Sequence, residues 1–155
     1  MPKKTLLIVA HAPSDNTRRL VESILTGARQ GAGDTVEVVY KPPLGATPAD
    51  VLAADAIILG TTENLAYMSG ALKDFFDRCY YPVLEEKQGM PCAAYIRAGQ
   101  DGTGTCRAIQ SIVTGLRWSW AQDPLILRGD WDAGFLDQVD ELGKYMAAAL
   151  GAGII

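Results

Sequence analysis

Apolar residues along this chain alternate between two spacings. Residues 5–10, TLLIVA, form an unbroken apolar run, short enough for a strand buried on both faces. Across residues 17–30, Leu20, Val21, Ile24, Leu25 and Ala28 recur instead at helical spacing, and Gly31 and Gly33 stand where such a helix would stop. The exchange then repeats. DTVEVVY (34–40) predicts a second strand, followed by a Pro-rich turn and a short helix over 49–54. DAIILG (55–60) predicts a third, and a helix over 69–80 follows with Leu72, Phe75, Phe76 and Cys79 on one side. MPCAAYIRA (90–98) predicts a fourth strand, with Pro91 at its start, where a missing N–H costs least. A Gly-rich segment leads to a helix over 106–118 that buries Ile109, Ile112, Val113 and Leu116. PLILRG (124–129) predicts the fifth strand, and Phe135, Val139, Leu142 and Met146 stripe a last helix that Gly151 would end.

Apolar strands separated by amphipathic helices imply an α/β protein whose parallel sheet is covered on both faces. Right-handed crossovers and five strands give the doubly wound order 2-1-3-4-5. In that order ligands sit beyond the C-terminal ends of the strands, at the switch point between the first and third. Three loops should converge there: HAPSDNT (11–17), TTENLAYMSG (61–70) and AGQDGTG (98–104). A chain of 155 residues is expected to form one domain, residues 1–155, with a substantial core.

Composition removes several classes of function. A net charge of −4 speaks against a nucleic-acid binder, which needs a basic face to neutralise phosphates. Cys79, Cys92 and Cys106 show no C-x-x-C spacing, which fits reduced thiols rather than a disulfide framework, and a single His leaves no evident metal site. The N-terminal apolar run is too short for a signal sequence and no stretch reaches the length of a membrane span. A cytoplasmic protein is expected.

Each loop has chemistry of its own. In the first, Ser14, Asp15, Asn16 and Thr17 lie where a strand becomes a helix, so hydroxyls and first-turn N–H groups can wrap a phosphate. The same residues also read as ordinary helix caps. Neither a Walker loop nor a G-x-G-x-x-G fingerprint is present, and the acidic residues of a phosphoacceptor receiver are missing. Asn64, Leu65, Ala66, Tyr67 and Met68 in the second loop suit the edge and face of a flat heteroaromatic ligand, although Tyr67 and Met68 also read as packing. Gly99, Gly102 and Gly104 in the third allow close approach of backbone to ligand, or a flexible surface loop.

The stretch GTTENLAYMSGALKDFFDR (60–78) resembles the flavodoxin-like FMN-dependent NAD(P)H oxidoreductases, whose pattern is G-T-P-x-x-x-G-x-M-S-G-x-x-K-x-F-x-D-R. Gly60, Thr61, Met68, Ser69, Gly70, Lys73, Phe76, Asp77 and Arg78 match it without a gap, and His11, Ser14 and Thr17 match the phosphate loop H-S-x-[ST]-G-x-T. The resemblance implies a flavodoxin-like three-layer sandwich with a five-stranded parallel sheet, and FMN held non-covalently. Its phosphate would lie on Ser14–Thr17, with the ring between the loops Thr62–Met68 and Ala98–Gly104; His11 and Thr61 join the implied cofactor-binding residues, as do Ala98, Gly99, Gln100, Asp101 and Gly104 of the third loop. It further implies NAD(P)H as co-substrate and a small acceptor such as a quinone or free flavin, with a homo-oligomer as one expectation. A flavodoxin-type electron carrier and a flavin-free binding module are the alternatives.

The departures from the pattern are Ala12, Asp15, Thr62, Glu63 and Ala66, of which Asp15 and Glu63, with Asp101, bring negative charge near the flavin. Arg18 or Arg19 would offset Asp15. No side chain is an evident catalytic acid or base, and His11 reads as a loop-orienting hydrogen-bonder. Trp118, Trp120 and Trp131 read as core or an oligomer contact. Cys106 opens a helix, where the dipole could lower a thiol pKa, but it reads more readily as structural filler.

Overall fold

The computed structural model describes residues 2–155. In chain order the elements are β1 (Lys4–Ala10), α1 (Asp15–Ala32), β2 (Val36–Lys41), α2 (Pro48–Leu52), β3 (Ala56–Asn64), β4 (Tyr67–Met68), α3 (Gly70–Val83), β5 (Pro91–Ala98), α4 (Thr103–Leu116), β6 (Ser119–Trp120), β7 (Leu125–Arg128) and α5 (Gly134–Gly151). A short 3-10 turn, Pro43–Gly45, precedes α2.

The parallel sheet runs β2-β1-β3-β5, with its fifth position shared by β6 and β7. This is the expected order, with one strand divided. β6 pairs Ser119 with Pro91 and Trp120 with Cys92, and β7 resumes with Leu125 beside Tyr95. The four residues between them, 121–124, oppose only Ala93 and Ala94, so the chain bulges out of the ladder. Pro124, which has no N–H to give, stands in that bulge.

Alternate residues feed two cores. Leu6, Ile8, Ala10, Ala93 and Tyr95 face α1 and α5, where they meet Leu20, Ile24, Val139 and Met146. Leu7, Val9, Ile57, Leu59 and Ala94 face α3 and α4, meeting Leu72, Phe75, Ile109 and Val113. Burying each large side chain contributes about 1.5–3 kcal/mol. α1 and α5 approach so closely that a Cβ on Gly27 would lie 2.0 Å from the Asp140 carbonyl oxygen. Trp118 lies beyond the end of α4, buried in the core under α3 and α4, and Trp120 packs against that core.

Register places the site. Ala10 is level with Gly60, Thr62 with Arg97, and Ala98 with Arg128, so the C-terminal ends of β1, β3, β5 and β7 form one rim. Gly60 is required there, because a Cβ would lie 2.5 Å from the Tyr95 ring that crosses it. No described helix is long and apolar enough to cross a membrane.

Candidate functional site

The first loop is a helix start built on a reciprocal cap. Ser14 Oγ accepts from the Thr17 N–H at 3.3 Å, and Thr17 Oγ1 accepts from the Ser14 N–H at 2.9 Å. The two hydroxyls are 2.8 Å apart. Both are therefore engaged with each other, and the capping reading of these residues holds. Asp15 and Asn16, at the first two helical positions, have N–H groups without an acceptor inside the helix. Asp15 ion-pairs with Arg18, and its carboxylate is 93% exposed, so its charge points outward. His11 contributes through its backbone, donating its N–H to the Gly60 carbonyl at 3.0 Å. Burial lowers the pKa of its imidazole, because desolvation disfavours the charged form.

The second loop is a β-hairpin, which corrects the sequence reading. β3 runs past Gly60 to Asn64 and returns as β4, pairing Glu63 with Met68 and Asn64 with Tyr67 in antiparallel register. The turn residues Leu65 and Ala66 have φ of 54° and 62°. Both sit in the left-handed region, as in a type I′ turn, which Asn-Gly normally supplies. Leu65 is fully exposed at the tip and Tyr67 is exposed beside it, whereas Met68 folds into the core. Thr61 fixes the base: its buried Oγ1 accepts from the Ser69 N–H at 3.0 Å, and Ser69 caps α3 through the Leu72 N–H at 3.2 Å. Thr62 Oγ1 lies 2.9 Å from Asn64 Oδ1.

The third loop is tied to its neighbours at Ala98 and Asp101. Ala98 accepts from the Gly129 N–H at 2.9 Å, and Arg128 donates to the Asp101 carbonyl at 2.6 Å while its guanidinium faces the Asp101 carboxylate. Asp101 also accepts from the Thr103 hydroxyl. Gly99 and Gln100 are exposed. α4 has no side-chain cap from its own N-cap residue, Gly102. Glu63 supplies one from across the cleft: its carboxylate accepts from the Gly102 N–H at 3.2 Å and from the buried Thr105 hydroxyl at 2.9 Å. A Cβ on Gly104 would lie 2.8 Å from the Ala66 carbonyl, so the hairpin backbone also rests directly on α4. The charge of Glu63 thus faces a helix N-terminus, where it is stabilising.

Other expectations resolve as follows. Arg78 is a helix-to-loop tie: it pairs with Asp74 and donates to the Ala46 and Pro43 carbonyls, each at 2.7 Å, while Asp77 pairs with Lys73. Cys106 is not at a helix start, since α4 begins at Thr103, and burial pushes its thiol pKa up rather than down. Trp131, half-buried, packs against the core under α1 and α5 beside Phe135, with Arg19 and Arg97 over its ring. Sequence reading missed Arg97, although it is the one charged residue inside an otherwise apolar strand.

A doubly wound sheet of this order, with three loops gathered at its switch point, defines a flavodoxin-like protein. Residues 4–123 match the NADPH-dependent FMN reductase family, and the chain belongs to that family. FMN, implied by the motif, is the cofactor that this membership indicates. The flavodoxin of Aquifex aeolicus (strain VF5) is 32% identical over 111 residues, which cover 72% of this chain and 59% of that protein. A flavodoxin, WrbA-like protein from Agrobacterium tumefaciens superposes with a TM-score of 0.76 at 18% identity, covering 97% of this chain and 99% of that one. A flavodoxin from the domain Archaea gives 0.75 at 21%, covering 96% and 99%. These two likenesses establish the fold.

Proposed function

We propose that the protein is an FMN-dependent oxidoreductase that takes electrons from NAD(P)H and reduces a small acceptor such as a quinone or free flavin. The observation that carries this reading is the clasped rim. α1 offers unpaired first-turn N–H groups on one side, and Glu63 locks the hairpin to α4 on the other. The donor set fits a flavin nucleotide. The Asp15 and Asn16 N–H groups would hold its phosphate, with the Ser14–Thr17 cap fixing their direction. Leu65 and Tyr67 would cover the ring and exclude water, and the open space around Gly99 admits its polar edge.

When bound, FMN supplies hydride acceptance and one- or two-electron transfer. The chain's own part is to bind, orient and shield. His11, half-buried, supports the first loop through its N–H bond to the Gly60 carbonyl. The fully exposed Leu65 keeps a flavodoxin-type carrier, docking on a redox protein, as the second reading.

Titration of the protein into FMN should quench flavin fluorescence, and NADPH should then be oxidised when a small quinone is added. Absence of quenching at micromolar FMN refutes both redox readings. Flavin reduction only by a protein partner favours the carrier. S14A/T17A should weaken FMN and spare riboflavin; equal loss of both refutes the phosphate placement.

A further inference from the structure

Two arginines share one indole at the rim. The Arg19 Cζ lies 5.4 Å from the centre of the Trp131 ring, and the Arg97 Cζ lies 5.9 Å from the same ring and 5.0 Å from that of Phe135. Trp131 and Phe135 meet edge to face at 5.7 Å and form one aromatic platform. The neighbouring arginines have carboxylate partners: Arg18 has Asp15 and Arg128 has Asp101. Among the described residues neither Arg19 nor Arg97 takes part in an ion pair. Burial lowers the pKa of Arg97, and Asp130, which forms no ion pair with it, offsets this only in part.

The arrangement sets two guanidiniums against one indole, and neither is ion-paired with a carboxylate. Arg97 is anchored by Nη1, which donates to the Ala98 carbonyl at 2.7 Å and the Leu127 carbonyl at 3.1 Å. Its Nε and Nη2 have no protein acceptor among the described residues. Arg19 makes one long bond, 3.3 Å, to Asn16 Oδ1, and this places it along the first turn of α1. Guanidinium groups pre-set on an aromatic platform match the oxygens of a phosphate, which accepts paired N–H bonds.

We infer that Arg19 and Arg97, held on Trp131, form a clamp for a phosphate group of the ligand that occupies this rim. This rests on the proposed function for the ligand's identity, and the phosphate has two sources there, the flavin nucleotide and the nicotinamide dinucleotide. The clamp lies beside the α1 N-terminus and adds charged, geometrically selective donors to a site that otherwise has backbone N–H groups. It also makes Trp131 a positioning residue, because the indole keeps both guanidiniums in place.

The test uses the exposed Arg19 first, since R19Q disturbs no buried contact. Affinities for FMN and riboflavin would be read by fluorescence quenching, and KM for NADPH and NADH by steady-state rates, in wild type, R19Q, R97K and W131L. The clamp predicts that R19Q weakens a phosphate-bearing ligand about tenfold and leaves riboflavin unchanged. Loss confined to FMN identifies the flavin phosphate. Loss confined to NADPH, with NADH unaffected, identifies the 2′-phosphate. R97K, which keeps charge without the fork, should fall between R19Q and wild type. Unchanged FMN affinity together with an unchanged NADPH-to-NADH ratio in R19Q and W131L overturns the inference. An independent arm titrates inorganic pyrophosphate into the flavin-free protein and follows the Trp131 indole N–H by NMR. A shift that R19Q abolishes supports the clamp even if FMN fails to bind wild type, and no shift counts against it.

Discussion

Replacing Glu63 by Ala removes the carboxylate that joins the hairpin to α4. The Gly102 N–H loses its acceptor at 3.2 Å and the Thr105 hydroxyl loses its acceptor at 2.9 Å. Thr105 is fully buried, so water does not readily replace the lost partner. A hydrogen bond to a charged group contributes about 1.5–3 kcal/mol. A negative charge at a helix N-terminus adds about 0.3–1 kcal/mol. Because Glu63 is half-exposed, part of each contribution is recovered by solvent, and the net loss is set at about 2–4 kcal/mol. For a chain of this size each kcal/mol moves the melting temperature by about 2–4 °C. E63A should therefore melt about 4–16 °C below wild type. E63Q keeps one carbonyl oxygen and should lose less than half as much. Amide exchange at Gly102 and along 61–68 should quicken in E63A while α1 and α5 stay protected. An E63A protein that melts with wild type and exchanges Gly102 at the wild-type rate would refute the clasp.

Three further outcomes are expected. The left-handed Leu65 and Ala66 each cost about 1–2 kcal/mol, so L65N/A66G should raise stability in urea unfolding; a decrease contradicts the strained turn. Burial lowers the folded pKa of His11 below 6.5, so unfolded chains bind that proton more readily. The stability it contributes is present above about pH 6.5 and is lost as pH falls through that value toward the folded pKa. H11Q should remove that part of the pH dependence of melting, and an identical profile in H11Q would oppose it. Burial pushes the Cys79 thiol up to about 11 and the Cys92 thiol up to about 12, and raises Cys106 as well. A thiol-specific disulfide reagent at mild alkaline pH should label none of them rapidly until the chain is unfolded, and fast labelling of the folded protein would contradict this.

What the sequence reveals follows from the range of the forces involved. Strands buried on both faces and helices striped on one announce themselves locally, which is why the order of the sheet and the three converging loops are legible. The hairpin is not, because Leu65 and Ala66 carry no mark of a left-handed turn; only the surrounding ladder and the contact with Gly104 hold them there. Glu63 reads as unwelcome charge beside a flavin until α4, some forty residues later, is seen to lack a cap of its own. The divided fifth strand has a local sign in Pro124. Arg97 had one too, as a lone charge in an apolar strand, but its meaning depends on Trp131 from a different part of the chain.

The most direct test of the central claim is amide hydrogen exchange of the protein with and without FMN. The account predicts added protection at 15–17, 61–68 and 98–104 together, with little change at the groove lined by Gln122, Leu125 and Tyr145 on the far edge of the sheet. Protection at that groove, or at none of the three loops under saturating FMN, would contradict it.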